Sequence, residues 1–107
     1  MGIDDGLVQE IIRRVLGVAQ VDRIILFGSA VAGRMTKDSD IDLLILEESP
    51  ANRREESIRI RDSLRGLDYP FDIIVMATEW FEESKSVIGG IAYPASKYGK
   101  VIYEIAR

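Results

Sequence analysis

The sequence predicts an α+β (α/β) protein with a mixed β-sheet of about four strands and helices mainly on one face. Short runs of β-forming residues at positions 24–27, 41–46, 71–76 and 101–104 indicate the strands. Longer stretches with apolar residues at helical spacing, or with helix-capping signals, separate these runs. Strands that alternate with helices in this way are typical of a layered sheet-and-helix domain.

The first predicted elements are a helix and a strand. Asp4 or Asp5 is placed to cap the helix, because a short side-chain oxygen satisfies free backbone amides there. Apolar residues then recur at steps of three and four residues and form one stripe along the helix. The stripe consists of Leu7, Val8, Ile11, Ile12, Val15 and Leu16. Gly17 is predicted to end the helix. We expect this helix to pack on the sheet, followed by a strand at 22–27, a helical turn at 29–33 and a polar loop at 34–39.

The second half of the chain contains the remaining helices. After a strand at 40–47, Ser49 and Pro50 predict a helix start, with a capping hydroxyl followed by proline at the first helical position. This helix is mostly charged and is predicted to be solvated as far as about residue 65, where Gly66 ends it. A strand at 71–77, a helix capped by Thr78, a short helix at 93–98 and a strand at 101–104 complete the prediction.

The order of these elements constrains the topology of the sheet. The second strand, its helix and the third strand form a crossover unit, so the two strands should be parallel and should begin at the same end of the sheet. The first strand must then run antiparallel to bring its final residues to that end. A mixed sheet is the economical solution.

Composition sets limits on what the protein does. The 107 residues are expected to form one domain, 1–107, of ordinary globular composition. A net charge of −4 argues against general nucleic-acid binding, and the absence of cysteine and histidine excludes thiolate zinc sites and histidine-dependent triads. No apolar run is long enough for a membrane span and the first residues do not resemble a signal peptide, so a cytoplasmic location is expected.

Three aspartates and a Gly-Ser turn form the candidate site. Asp40 and Asp42 open the second strand and point to the same face, because side chains alternate along a strand. Asp72 lies near the start of the third strand. Neighbouring carboxylates repel each other, and a divalent cation such as Mg²⁺ relieves that repulsion. Gly28 and Ser29 end the first strand, where glycine lets the backbone approach a phosphate and the hydroxyl can donate to it.

This combination resembles the minimal nucleotidyltransferases of the DNA polymerase β-like superfamily. The resemblance rests on Gly28-Ser29, Asp40-x-Asp42 and Asp72, and covers most of the chain from Ile24 to about Glu104. It implies the nucleotidyltransferase fold. One departure concerns Ala32, because the family often has arginine at this point before the following glycine, Gly33.

By this resemblance, the protein is a Mg²⁺-dependent enzyme that uses ATP. Asp40, Asp42 and Asp72 are implied as catalytic residues and as ligands of two Mg²⁺ ions. The implied nucleotide contacts are Gly28, Ser29, Gly33, Arg34 and Ser39, with Arg34 replacing the arginine missing at position 32. For Ser39 and Lys37, contact with phosphate and shaping of the loop are equal alternatives.

The resemblance also implies a partner. Family members of this size work with a separate helical protein of the HEPN type, and the MntA-type antitoxins of such HEPN/MNT pairs transfer AMP to a tyrosine of the toxin. We therefore expect AMP transfer to a hydroxyl of a partner protein. The alternatives are an inactive nucleotide-binding module that neutralises or scaffolds its partner sterically and, with less support, a small-molecule nucleotidyltransferase. Trp80 and Phe81 are predicted to be core or interface residues rather than a platform for a base.

Overall fold

Strands and helices alternate along residues 4–33, 36 and 38–106, the part of the chain that the computed structural model describes. The elements are α1 (Asp5–Leu16), β1 (Arg23–Phe27), α2 (Ser29–Ala32), β2 (Ile41–Glu47), α3 (Arg53–Ser63), β3 (Phe71–Ala77), α4 (Thr78–Ser84), α5 (Ala92–Tyr98) and β4 (Lys100–Glu104). Each predicted strand is present, and β3 has the bounds that the sequence predicted.

The strands form a single mixed sheet in the order β3-β2-β1-β4. β2 pairs in parallel with β3 and antiparallel with β1, whose other edge pairs antiparallel with β4. The predicted fold class and the predicted strand directions are therefore confirmed. The start of β2, the start of β3 and the end of β1 meet at one end of the sheet, because Asp42 is the register partner of both Asp72 and Phe27.

Both faces of the sheet are covered, but unequally. The two long helices, α1 and α3, pack on one face through buried residues such as Ile11, Val15 and Ile60, which share a core cluster with Leu43 and Ile45. On the other face, the shorter helices α4 and α5 cover part of the sheet. Their buried residues Phe81, Ala92 and Ala95 share a second cluster with Leu44, Leu46 and Met76. Alternate residues of β2 thus serve two separate cores.

Local signals account for α1 but not for the start of α3. Asp4 caps α1 as predicted, with its Oδ1 atom accepting a hydrogen bond of 2.8 Å from the backbone N–H of Leu7. The predicted start of α3 at Ser49 and Pro50 is wrong. The helix begins at Arg53 and is capped by Asn52, whose Oδ1 atom accepts a 3.0 Å bond from the N–H of Glu55. Both sites carry suitable capping residues, so local chemistry did not decide between them.

The predicted cap of α4 is also wrong. Thr78 is the first residue of the helix rather than its cap, and the N-cap residue is Ala77. The Thr78 hydroxyl instead donates a 2.6 Å hydrogen bond to Oδ2 of Asp22, which ties the start of α4 to the segment before β1. In the same helix, Phe81 is a core residue as expected, whereas the Trp80 side chain is exposed.

None of the helices in residues 4–33, 36 and 38–106 is long and apolar enough to cross a membrane.

Candidate active site

Two of the three predicted aspartates are register partners in the sheet. Asp42, the second residue of β2, lies opposite Asp72, the second residue of β3. Neighbouring strands lie about 4.8 Å apart, and residues in register on parallel strands point to the same face. The backbone N–H of Ile41 donates a 2.9 Å hydrogen bond to the carbonyl of Pro70, which fixes the two strand starts relative to each other.

The electrostatics of Asp42 connect all three aspartates. Partial burial raises the pKa of the Asp42 carboxyl above its ordinary value, and the negative charges of Asp72 and Asp40 raise it further. Asp40 precedes β2 and is exposed, as is Asp72, whereas Asp42 is half-buried. Asp42 is therefore the least exposed of the three aspartates, and it experiences the repulsion of both of the others.

Gly28 lies against the Asp42 carboxylate. Its backbone has φ = 78°, a conformation that favours glycine, and a Cβ atom at this position would stand 2.2 Å from Oδ2 of Asp42. Any side chain at position 28 would therefore collide with the carboxylate. The turn after β1 thus requires glycine for two separate reasons, and both arise at the aspartate pair.

The remaining predicted nucleotide contacts lie in α2 and the loop after it. Ser29 is the first residue of α2, and Gly33 ends this helix with φ = 74°. Ser39 shapes the loop, since its Oγ atom accepts a 2.9 Å hydrogen bond from the N–H of Thr36. Of the alternatives for Ser39, loop shaping is thus observed, and contact with phosphate stays a prediction. Arg34 and Lys37 lie outside the described residues, as does the Ala32 side chain.

Comparison with known families agrees with this geometry. The profile of the family described as "Nucleotidyltransferase domain" matches residues 7–93, which contain β1, β2, β3, the Gly-Ser turn and all three aspartates. The chain belongs to this nucleotidyltransferase family. No curated protein is significantly similar to it.

Two solved structures share the fold of this nucleotidyltransferase domain. One is a crystal structure of a toxin–antitoxin with AMP-PNP, with a TM-score of 0.64 and 19% identity over 92% of this chain and 73% of the other. The second is a candidate nucleotidyltransferase from Sulfolobus solfataricus, with a TM-score of 0.59 and 22% identity over 92% of this chain and 78% of the other. At these identities the similarity is one of fold.

The donor chemistry of the candidate site suits a divalent cation. Asp42 and Asp72 offer hard carboxylate oxygens from adjacent positions, and a bound cation would offset the repulsion that raises the Asp42 pKa. Within the described part of the chain, no group of three acidic side chains is close enough to hold one metal ion together. Asp42 and Asp72, which the sheet register brings together, are thus the first candidate pair of ligands.

One titratable residue was missed by the sequence interpretation. Glu47, the last residue of β2, is buried, and its side chain belongs to the same face of the sheet as Leu43 and Ile45. Strand alternation alone indicates this orientation, because position 47 has the parity of the core positions 43 and 45. The predicted strand at 40–47 includes Glu47, and the structure adds that this residue is buried.

Proposed function

We propose that this nucleotidyltransferase domain is a Mg²⁺-dependent enzyme that transfers AMP from ATP to a hydroxyl group of a partner protein. The observation that supports this most directly is the register pairing of Asp42 with Asp72 beside Gly28. This arrangement puts paired carboxylates, which suit a divalent cation, next to the Gly-Ser turn that is the proposed contact of the phosphates.

Each of the three aspartates has a proposed role. Asp40 and Asp42 would hold two Mg²⁺ ions, and Asp72 would complete the ligand set on the side of the acceptor. When bound, Mg²⁺ neutralises charge on the triphosphate and lowers the pKa of an oxygen bound to it. Gly28 and Ser29 would contact the β- and γ-phosphates, together with Gly33, Arg34 and Ser39 around them.

The proposed reaction is an in-line displacement at phosphorus. A bond forms between the acceptor oxygen and the α-phosphorus of ATP, the bond from that phosphorus to the bridging oxygen breaks, and pyrophosphate leaves. The hydroxyl proton passes to the carboxylate of Asp72, which is exposed and hence accessible to an acceptor. Positioning and charge neutralisation are sufficient for this chemistry, and they suit a chain without histidine.

The proposed acceptor is a tyrosine of a HEPN-type helical toxin, with this protein as the antitoxin. This follows from the resemblance to the small nucleotidyltransferases of such pairs. It is further supported by the shared fold with a protein whose crystal structure is of a toxin–antitoxin with AMP-PNP.

A non-catalytic module that neutralises its partner sterically is the second candidate. Two observations favour it. The described aspartates do not converge on one metal position, and Ala32 stands where the family often has arginine. A small-molecule nucleotidyltransferase has no comparable support.

Nucleotide binding is the first test. Calorimetry with ATP and Mg²⁺ should show binding to the wild type and a loss of at least tenfold in affinity for Asp42→Ala. Asp38→Ala is the matched control, because it removes an exposed carboxylate from the same loop. Equal affinities for all three proteins would contradict the proposed site.

Transfer is the second test. The protein encoded by the adjacent gene is incubated with ATP, Mg²⁺ and either the wild type or Asp42→Ala, and its mass is measured. One added AMP unit that depends on Asp42 supports the enzyme. An unmodified partner that both proteins bind and silence equally supports the steric module.

A further inference from the structure

A buried carboxyl group with an unsatisfied oxygen lies at the opposite end of β2 from the aspartates. Glu47 is only 6% exposed, and its Oε2 atom has no hydrogen-bond partner among the described residues. Leaving a buried polar atom unpaired costs roughly 1–3 kcal/mol, and more if the group is charged. A carboxyl in this situation indicates a partner from outside the described residues.

Glu47 lines an open cavity of about 810 Å³. Apolar side chains form much of its wall: Leu16 at the end of α1, Val21 before β1, Pro50 after β2, and Ile105 after β4. The size is within the usual range of ligand pockets, about 300–1,000 Å³. None of the three aspartates of the candidate active site lines it.

The charges around this cavity are negative. Asp22, Glu48 and Glu56 line it together with Glu47, and no lysine or arginine is among its described lining residues. Burial raises the pKa of Glu47 to about 7; the Glu56 and Asp22 charges also raise it, whereas the Arg59 charge lowers it. A positively charged group in the cavity would relieve this unfavourable field and would supply the missing hydrogen bond.

A metal ion is a poor match for this surrounding. The nearby carboxylates are already engaged, since Glu56 forms an ion pair of 2.5 Å with Arg59 and Asp22 accepts a hydrogen bond from Thr78. A hard cation also needs six or more oxygen donors, whereas much of this wall is apolar. An organic cation with an apolar stem suits the same surfaces, because the stem lies against the wall and the charged end reaches Glu47.

We propose that this cavity binds a guanidinium or primary ammonium group on an apolar stem, with Glu47 as its counter-charge. The site is independent of the proposed nucleotidyl transfer. Glu47 lies five residues along β2 from Asp42, a separation of about 17 Å, and the two side chains belong to opposite faces of the sheet.

A pair of isosteric probes tests the proposal. Butylguanidinium is positively charged, butylurea is neutral, and each is titrated into the full chain at pH 8 while backbone amide signals are followed by NMR. We expect butylguanidinium to shift the amides of Val21, Glu48 and Ala51, and to bind at least tenfold more tightly than butylurea. The variant Glu47→Gln should lose that tenfold preference, whereas Glu55→Gln, which removes an exposed carboxylate of α3 outside the cavity, should keep it.

Other results would overturn the proposal. Absence of these shifts with butylguanidinium, or equal binding of the two probes, would exclude a cation site at Glu47. The cation could also come from the chain itself, because Arg107 follows Ile105 by two residues in the sequence. If butylguanidinium binds only to the Arg107→Gln variant, the counter-ion is intramolecular and no external ligand is involved.

Discussion

Asp42 and Glu47 are in environments that disfavour a charged side chain, and Gly28 is in one that disfavours every residue except glycine. Gly28 adopts a positive φ directly against a carboxylate, and Asp42 carries a partly buried charge beside two others. Glu47 holds an unsatisfied oxygen in the core. Charged groups in such disfavoured environments persist where the surrounding structure enforces them, and they concentrate at binding sites.

Gly28→Ala should destabilise the fold by about 1–3 kcal/mol, because it combines an unfavourable φ with a collision at Asp42. Gly66→Ala is the control, since Gly66 has φ = 90° but nothing within 4 Å of the added Cβ. The free energy of unfolding of Gly66→Ala should fall by only about 1 kcal/mol, because alanine at a positive φ is unfavourable but meets no steric obstacle there. Urea denaturation of both variants measures the difference. Equal losses would mean that the Asp42 carboxylate moves away without cost.

Asp42→Asn should stabilise the fold at pH 7 and, if the proposed function is correct, should also abolish nucleotide binding. The folded state raises the pKa of Asp42, chiefly through burial and then through the Asp72 and Asp40 charges, so ionisation at neutral pH opposes folding. Removal of the charge should therefore increase the free energy of unfolding at pH 7. The gain should vanish as the pH falls below the ordinary pKa of aspartate, where both states are protonated. Thermal melts at pH 7 and pH 3 test this, and a loss of stability at pH 7 would show that Asp42 is held by favourable contacts.

Glu47 should make the fold less stable as the pH rises from about 5 to 8. Its pKa is about 7 in the folded protein against an ordinary 4.5, so the folded state binds the extra proton in this interval and loses it above pH 7. At pH 8, ionisation of Glu47 should lower the free energy of unfolding by an amount on the order of 2–3 kcal/mol. Glu47→Gln should therefore gain stability at pH 8 but little at pH 4. Urea denaturation of the wild type and Glu47→Gln at pH 4 and pH 8 measures this. The same difference in free energy of unfolding at both pH values would contradict the raised pKa.

Strands were easier to predict than helix starts because different forces fix them. The runs at β2 and β3 are apolar enough to require burial, and their order along the chain leaves few ways to pair them. Helix starts depend on caps worth about 1 kcal/mol, and here two candidates, Ser49 and Asn52, lie three residues apart. Pro50 lines the cavity together with residues that are distant in the sequence, so its position outside the helix depends on tertiary packing that no local pattern indicates.

Asn52→Ala should therefore destabilise the protein by about 1 kcal/mol, because it removes the acceptor for the N–H of Glu55. Ser49→Ala is the matched control and should change stability by less than about 0.5 kcal/mol, since Ser49 is exposed and outside the helix. Urea denaturation of both variants is sufficient. If Ser49→Ala lowered the free energy of unfolding more than Asn52→Ala, the result would instead support a helix that begins at Ser49, as the sequence predicted.

Across the whole molecule, the sheet separates two polar sites. The aspartates lie at one end of β2 on the face that α4 and α5 partly cover, and Glu47 lies at the other end among the residues of α1 and α3. The pairing of Asp42 with Asp72 was predictable, because the crossover makes β2 and β3 parallel and brings their starts to the same end of the sheet. The second site was not, because its cavity is formed by segments distant in sequence, from Leu16 to Ile105. The contact of Gly28 with Asp42 likewise depends on three-dimensional packing.

The stabilising effects of Asp42→Asn and Glu47→Gln should add at pH 8. The two side chains are separated by about 17 Å along β2 and have no common partner in the described residues, so their effects should combine to within about 0.5 kcal/mol. Denaturation of the double variant measures this. A coupling above 1 kcal/mol would show that β2 transmits strain from one end to the other.

The contact between Gly28 and Asp42 also has a consequence for how the family diverges. The space that a side chain at position 28 would need is taken by a carboxylate oxygen of Asp42. In homologues that have lost the aspartate, a side chain at position 28 would no longer collide with the carboxylate, which is the steric half of the constraint on glycine. Only the backbone half, the unusual backbone conformation, would remain. The backbone half is the stricter one, because φ = 78° with ψ = −149° lies outside the left-handed helical region that asparagine and aspartate tolerate and is essentially confined to glycine. A homologue that lacks the aspartate should therefore still keep glycine at position 28, so this glycine alone does not identify an active member.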